Sequence, residues 1–321
     1  MTNPSNALAR GASDLVDASA PAERLAVFRI LLGVFVTGYF AIRLPVFLEL
    51  RNRSTDRFDA VGLFRLLDRP LSDNLLTEAL ALAVASGVAF TAGWRFRLTG
   101  PLFAMTVLVL TTYRSSWGQL LHFENLFVLL LLVVGFSRAA DAWSLDARHR
   151  PAPLPGVSYG WPLQLCCLVV VTTYAIAGIA KLQLGGWDWV FGDTIRHHVA
   201  YASVRLELLG ANGSPLAGPA VRQAWLFTPM ALATLVIELS APVVLWWRRA
   251  RWVWCVAAWA MHVGIFALML IGFPTPLFGV AFAPFFATER PVERAITAWR
   301  SRRSIPPRST SNERVDVQRS V

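Results

Sequence analysis

Residues 161–182 read WPLQLCCLVVVTTYAIAGIAKL, and their reading decides the fold. At ~1.5 Å per residue the stretch makes a helix of roughly 33 Å, enough to cross a hydrocarbon core of about 30 Å. Its single charged side chain comes at its end, at Lys181, which is the only lysine among the 30 Lys and Arg residues of the chain. Comparable apolar runs recur at 25–48, 75–94, 99–115, 117–137, 226–247, 252–271 and 273–288. Hydrophobic residues make up 55% of the 321 positions, charged residues 16%, and the mean hydropathy is +0.49. Soluble domains carry about 25% charged residues. The composition therefore excludes a soluble protein and predicts an all-α, polytopic transmembrane helical bundle of about eight spans, within a range of seven to nine.

Around these spans the chain divides into a polar N-terminal arm (1–24), a transmembrane domain (25–288) and a basic tail (289–321). The first apolar run is long and has no cleavage site behind it, so it reads as a span and not as a signal peptide. The run PTPLFGVAFAPFF (274–286) carries three prolines, which makes the last span the weakest and leaves a re-entrant segment as its alternative. A Pro/Gly-rich connector, RPAPLPGVSYGWP (150–162), separates the first four spans from the rest. The tail opens as a short surface helix and is then expected to be disordered. Cys166, Cys167 and Cys255 all fall in apolar segments and read as small hydrophobes.

Arginine placement orients the bundle. With both termini cytoplasmic, the short inner segments WRFR, SRAADAWSLDARHR and WWRRARW are the basic ones, as the positive-inside rule requires. The net charge of +10 is then a topology signal, and the tail arginines serve an anionic leaflet and not nucleic acid. Under this orientation Lys181 closes an outward-running span and His122 opens an inward-running one, so both lie in the outer half. The expected location is the plasma (inner) membrane of a bacterium.

Ionisable groups at bilayer depth are costly and default to functional candidates. On a helix, Tyr174, Ala177/Gly178 and Lys181 share one face, and the small residues below the ammonium allow close approach by another helix or a flat ligand. Snorkelling is the structural alternative, but arginine serves that purpose everywhere else in this chain. Unlike arginine, a desolvated lysine can become a general base or nucleophile. His122, Glu124 and Asn125 cluster at the mouth of one span, and His262 falls near the midplane of another. Glu238, also near mid-depth, reads as part of a structural network with His262, Arg29 or Arg43. Tryptophans at span ends form an interfacial belt; Trp187 and Trp189, just beyond Lys181, have stacking on a planar ligand as a second reading.

The ordered segments FRILLGVF (28–35), SWGQLLHFENL (116–126), ADAWSLDARHR (140–150), AGIAKLQLGGWDWVFG (177–192) and MHVGIFALMLIGFP (261–274) resemble the HTTM domain of the vitamin K-dependent gamma-carboxylase family. The resemblance covers residues 22–288. Its most specific piece is AG-x-x-K-L followed by tryptophan; His262 ahead of Ile271-Gly272-Phe273-Pro274 is next. The resemblance implies a membrane-embedded lysine, here Lys181, that acts as base on vitamin K hydroquinone or menaquinol. Oxygenation then yields a strong base that takes a proton from a glutamate γ-carbon before CO2 adds. It implies His122 and His262 as further catalytic residues; the residue pattern adds Asn125, Glu124, Tyr174 and Trp187 as candidate substrate-binding residues. O2 and CO2 are the implied co-reactants, with no metal. The family's carboxylase carries a luminal domain after its membrane part, to which nothing in 289–321 corresponds.

Two functions follow as expectations. One is an integral membrane enzyme, of lyase or oxidoreductase type, that deprotonates and oxygenates a quinol-like, lipid-soluble substrate. The other is a non-catalytic membrane scaffold that binds lipid or quinone. A transporter ranks third, because the chain shows no inverted repeat. Membrane lipids and a quinone-like small molecule are the expected partners.

Overall fold

The computed structural model describes residues 19–67, 69–120, 122–149 and 156–303, and among these every regular element is helical. The helices are α1 (Ala22–Leu48), α2 (Asp73–Ala92), α3 (Phe96–Ser115), α4 (Asn125–Gly135), α5 (Val157–Gly185), α6 (Asp188–Phe191), α7 (Thr194–Leu208), α8 (Ala217–Val221), α9 (Phe227–Ser240), α10 (Val243–Trp246), α11 (Ala250–Met269), α12 (Pro274–Leu277) and α13 (Glu289–Arg303). Five of them, α1, α2, α3, α5 and α11, are long and apolar enough to cross a membrane. The fold is thus an all-helical bundle of the expected class. The first 18 residues of the N-terminal arm and the tail beyond Arg303, expected to be disordered, lie outside the described residues.

Local chemistry sets the helix ends. The Ser72 hydroxyl accepts from the Leu75 N–H at the start of α2, which stops at Gly93 in the left-handed region (φ 64°). The N-terminus of α3 is capped from a distance: Asp146 accepts from the backbone N–H of Arg95 (2.8 Å) and Phe96 (2.9 Å). The 138–149 loop that supplies this cap is in turn held by Arg29, fully buried on α1. Arg29 donates to the carbonyls of Ala139 (2.8 Å), Ala142 (3.4 Å) and Trp143 (2.7 Å). Arg29 is therefore a structural clamp, and the expected pairing of Glu238 with it does not form.

Sequential antiparallel packing of α1 through α5 builds the main core. Where α3 crosses α4, Gly100 and Gly135 meet back to back. A Cβ on Gly100 would lie 2.5 Å from the Gly135 carbonyl oxygen, so only glycine permits this backbone approach. The segment between α1 and α2 folds over one end of the bundle, burying Phe64 against Tyr113 and stacking Phe58 edge-on to Trp117.

Three expected spans differ from continuous helices. Helix α4 has 11 residues and α9 has 14, roughly 16 and 21 Å, so neither crosses unaided. A 3₁₀ turn at His122–Glu124 extends α4, and α10 extends α9 beyond Pro242. The 273–288 segment is not a helix across its length, because its prolines and Gly279 (φ 75°) split it into α12 and a 3₁₀ stretch, Val280–Phe285. It nonetheless descends antiparallel to α11: Phe273 packs on His262, Phe282 on Trp254, and Phe286 on Trp252. Thr275, Val280, Ala281 and Phe282 are buried, consistent with irregular backbone at membrane depth being tolerated only inside protein. The segment ends at Glu289, whose carboxylate pairs in bidentate fashion with Arg24 at the start of α1 (2.8 and 2.9 Å). Arg24 and Glu289 thus lie at one end of the bundle. The 183–225 stretch, between two of the expected spans, carries α6, α7 and α8, and α7 and α8 cover α9 and α11 through Val199, Ala217 and Phe227.

Candidate functional site

Helix α5 presents Tyr174, Gly178 and Lys181 along one face, as its periodicity predicts. The small residue acts on a protein partner. A Cβ on Gly178 would sit 3.0 Å from the Glu238 Cβ and 2.9 Å from Leu239, so glycine is what lets α9 press against α5 here. That contact delivers Glu238 one turn along to Lys181. The ammonium donates to both carboxylate oxygens, at 2.6 and 2.8 Å. Lys181 is therefore half of an interhelical ion pair and not the solitary amine that the sequence suggested, and Glu238 pairs with neither His262 nor an arginine.

The pair is asymmetric in its access. The Glu238 side chain is 6% exposed, whereas Lys181 is 26% exposed, so the open side of the pair is the amine. The Trp189 ring of α6 lies beside it, 5.4 Å from Nζ to the ring centroid, in a cation–π contact. Trp189 thus stacks on the lysine itself. Trp187 is 66% exposed and touches Phe191 at the surface.

Two helical turns deeper, Tyr174 packs edge-on to His262 and to Trp254 (ring centroids 5.7 and 5.0 Å). The Trp254 indole donates to the Ile237 carbonyl (2.8 Å), tying α11 to α9 at the residue before Glu238. His262 Nδ1 lies 2.8 Å from the Ala258 carbonyl, an acceptor only, so Nδ1 carries the proton and Nε2 is the lone-pair nitrogen. The Tyr174 hydroxyl approaches Nδ1 at 3.4 Å. The Phe273 ring, on the returning segment, lies between His262 (5.3 Å) and His122 (5.9 Å). His122 is exposed at the rim.

The structure therefore sets Lys181 and Tyr174 on one face of α5, packs Tyr174 on His262, and links His122 to His262 through Phe273. It does not bring Glu124 with them. Glu124 is buried and committed to the Tyr39 hydroxyl and the Arg114 guanidinium, with Arg43 stacked over the Tyr39 ring. Asn125 is exposed at the start of α4. Two participants were missed by sequence reasoning: Glu238 as the partner of Lys181, and Phe273 as the spacer between the histidines. Charge bookkeeping was the available signal for the first, since a lysine and a glutamate at membrane depth stabilise each other most cheaply as a pair. A cavity of about 600 Å³ lies not here but at the other end of α5, beside Gly160 and Gln164.

A family model, the HTTM domain, matches residues 18–290. No curated protein and no solved structure matches the chain. The matched range takes in every span and both residues of the Lys181–Glu238 pair. The chain belongs to the HTTM domain family.

Proposed function

We propose that the protein is an integral membrane enzyme, related in chemistry to the carboxylase membrane domains with which HTTM domains are associated, and that it deprotonates a quinol-like, lipid-soluble substrate at Lys181. The supporting observation is the intramembrane Lys181–Glu238 pair, closed on its acidic side and open on its amine. As drawn, the pair has no net charge. The ammonium first passes a proton to Glu238, and the freed Lys181 amine takes one from a quinol hydroxyl; this leaves an ammonium and a carboxylic acid beside the new oxyanion, so a cationic pair faces an anionic product. Reaction of that anion with O2 gives quinone epoxide and water from quinol and O2, and the pair returns its proton. His262 Nε2 and His122 flank the approach and position the substrate ring against Phe273. Glu124 is assigned to the structural Tyr39–Arg114 network and not to substrate.

For topology we infer eight crossings, the last being the irregular 273–288 segment, with both termini cytoplasmic. Its supports are the Arg24–Glu289 contact and the arginines of the short loops, Arg95, Arg97, Arg248, Arg249 and Arg251. Lys181 then opens toward the outer leaflet.

The test is incubation of the purified protein in nanodiscs with reduced menaquinone and O2, with epoxide measured by mass spectrometry. Epoxide above the protein-free control supports the enzyme. Its absence across quinols of different chain length supports a second reading, a quinone- or lipid-binding scaffold. That reading is favoured by the close fit of the pair at the α5–α9 contact, because such a pair also serves to fix helix register.

A further inference from the structure

A cavity of about 600 Å³ opens at the end of the bundle opposite Lys181. It is bounded by the start of α1, the first turns of α5, the α10–α11 connection and the end of the returning segment. Four arginines line it, Arg24, Arg248, Arg251 and Arg290, and no acidic side chain does. The two best-tied of them keep donors to spare. Arg24 gives Nε and one terminal nitrogen to Glu289, which itself lies outside the lining, and Arg251 gives Nε and one terminal nitrogen to the Val244 and Leu245 carbonyls. Arg248 and Arg290 are exposed at the rim. The floor is apolar, with Leu163 and Cys167 of α5 and Phe285 beneath the arginines.

Depth identifies the occupant. Trp161, Trp246, Trp247 and Trp252 surround this end of the bundle at 42–66% exposure, the pattern of side chains at the headgroup level. A cavity with a cationic rim and an apolar floor at that level matches a molecule with an anionic head and a hydrocarbon tail. A soluble anion would leave the floor unused, and a zwitterionic lipid would bring a second cation among four arginines. We infer that this cavity binds an anionic phosphate-headed amphiphile, its phosphate held by Arg248, Arg251 and Arg290 and its first chain carbons laid over Leu163 and Phe285. The guanidinium fork is suited to phosphate oxygens. The site is separated from the Lys181 pair by most of α5: from Gln164 to Lys181 is roughly 26 Å along the helix. It stands independently of the enzymatic reading.

The experiment titrates detergent-purified protein with dioctanoyl phosphatidylglycerol, dioctanoyl phosphatidylcholine or inorganic phosphate, following the thermal unfolding midpoint. Phosphatidylglycerol is expected to raise the midpoint saturably, and the other two are not expected to reproduce that shift. Arg248→Gln/Arg290→Gln should move the half-saturating concentration up about 25-fold, from two surface cations each contributing about fivefold. Arg248→Lys/Arg290→Lys should stay within about fivefold of wild type, because it preserves charge. An equal shift with phosphatidylcholine, a full shift with inorganic phosphate, or an unchanged midpoint concentration in the glutamine variant would each overturn the inference. If the glutamine variant does not fold, the three-ligand comparison on wild type decides alone.

Discussion

Replacing Lys181 with methionine keeps an unbranched side chain, one atom shorter, and removes one member of its ion pair. The carboxylate left behind is 6% exposed and loses two hydrogen bonds of 2.6 and 2.8 Å. Orphaning one partner of a buried pair costs about 3–5 kcal/mol, and the openness of the lysine side places this case near 3 kcal/mol. The reciprocal change, Glu238→Gln, is gentler. It leaves an amine that is 26% exposed, rests beside the Trp189 ring and can extend toward the interface, so about 1–2 kcal/mol is expected. Lys181→Met/Glu238→Met removes both charges and should fall within about 1 kcal/mol of wild type. The assay is thermal or denaturant unfolding of all four proteins in identical nanodiscs. Equal costs for the two single variants, or a double variant as unstable as Lys181→Met, would refute the reasoning that the pair is dry on its acidic side and open on its amine.

Three further outcomes follow from the geometry. Gly178→Leu should lower stability by about 1–3 kcal/mol and separate α5 from α9, because its side chain would overlap Glu238 and Leu239; cysteine crosslinking between α5 and α9 reads the separation. Arg29→Met strips donors from the Ala139, Ala142 and Trp143 carbonyls and should cost roughly 2–5 kcal/mol in the same unfolding assay, with faster proteolysis in the 138–149 loop. At Glu289, burial pushes the carboxyl up, but the Arg24 hydrogen bonds and nearby arginine charges outweigh it and hold it below the usual glutamate range. Its contribution, about 1 kcal/mol for a partly exposed pair, is therefore present above about pH 4.3 and lost as pH falls through the lowered folded value. Stability of wild type minus Glu289→Gln, measured from pH 7 to pH 3, should shrink toward zero.

How much of this was legible beforehand depends on whether the information was local. Hydropathy and the helical period revealed α5 and its Tyr174–Gly178–Lys181 face, because a membrane span must be apolar and its side chains repeat every 3.6 residues. The same signals left the partner of Lys181 open. Which helix meets Gly178 is a matter of packing between segments more than fifty residues apart, so Glu238 was matched with the wrong groups. The three prolines of 274–286 flagged the last span as weak, yet its path beside α11 depends on Phe273, Phe282 and Phe286 finding partners on another helix. Helix α7, TIRHHVAYASVRLEL, escaped notice because its composition is polar and only Val199 and Ala202 are buried. Glu124 was singled out as a candidate at the mouth of a span, but Arg114 and Tyr39 hold it, and neither lies within the motif that drew attention to it.

The most direct test of the central claim is turnover of reduced menaquinone with O2 by Lys181→Arg beside wild type in the same nanodiscs. An arginine preserves the ion pair with Glu238 but cannot give up and regain a proton near neutral pH. The account predicts an unfolding midpoint close to wild type together with epoxide formation reduced at least about 100-fold. Undiminished epoxide formation by the arginine protein would contradict it.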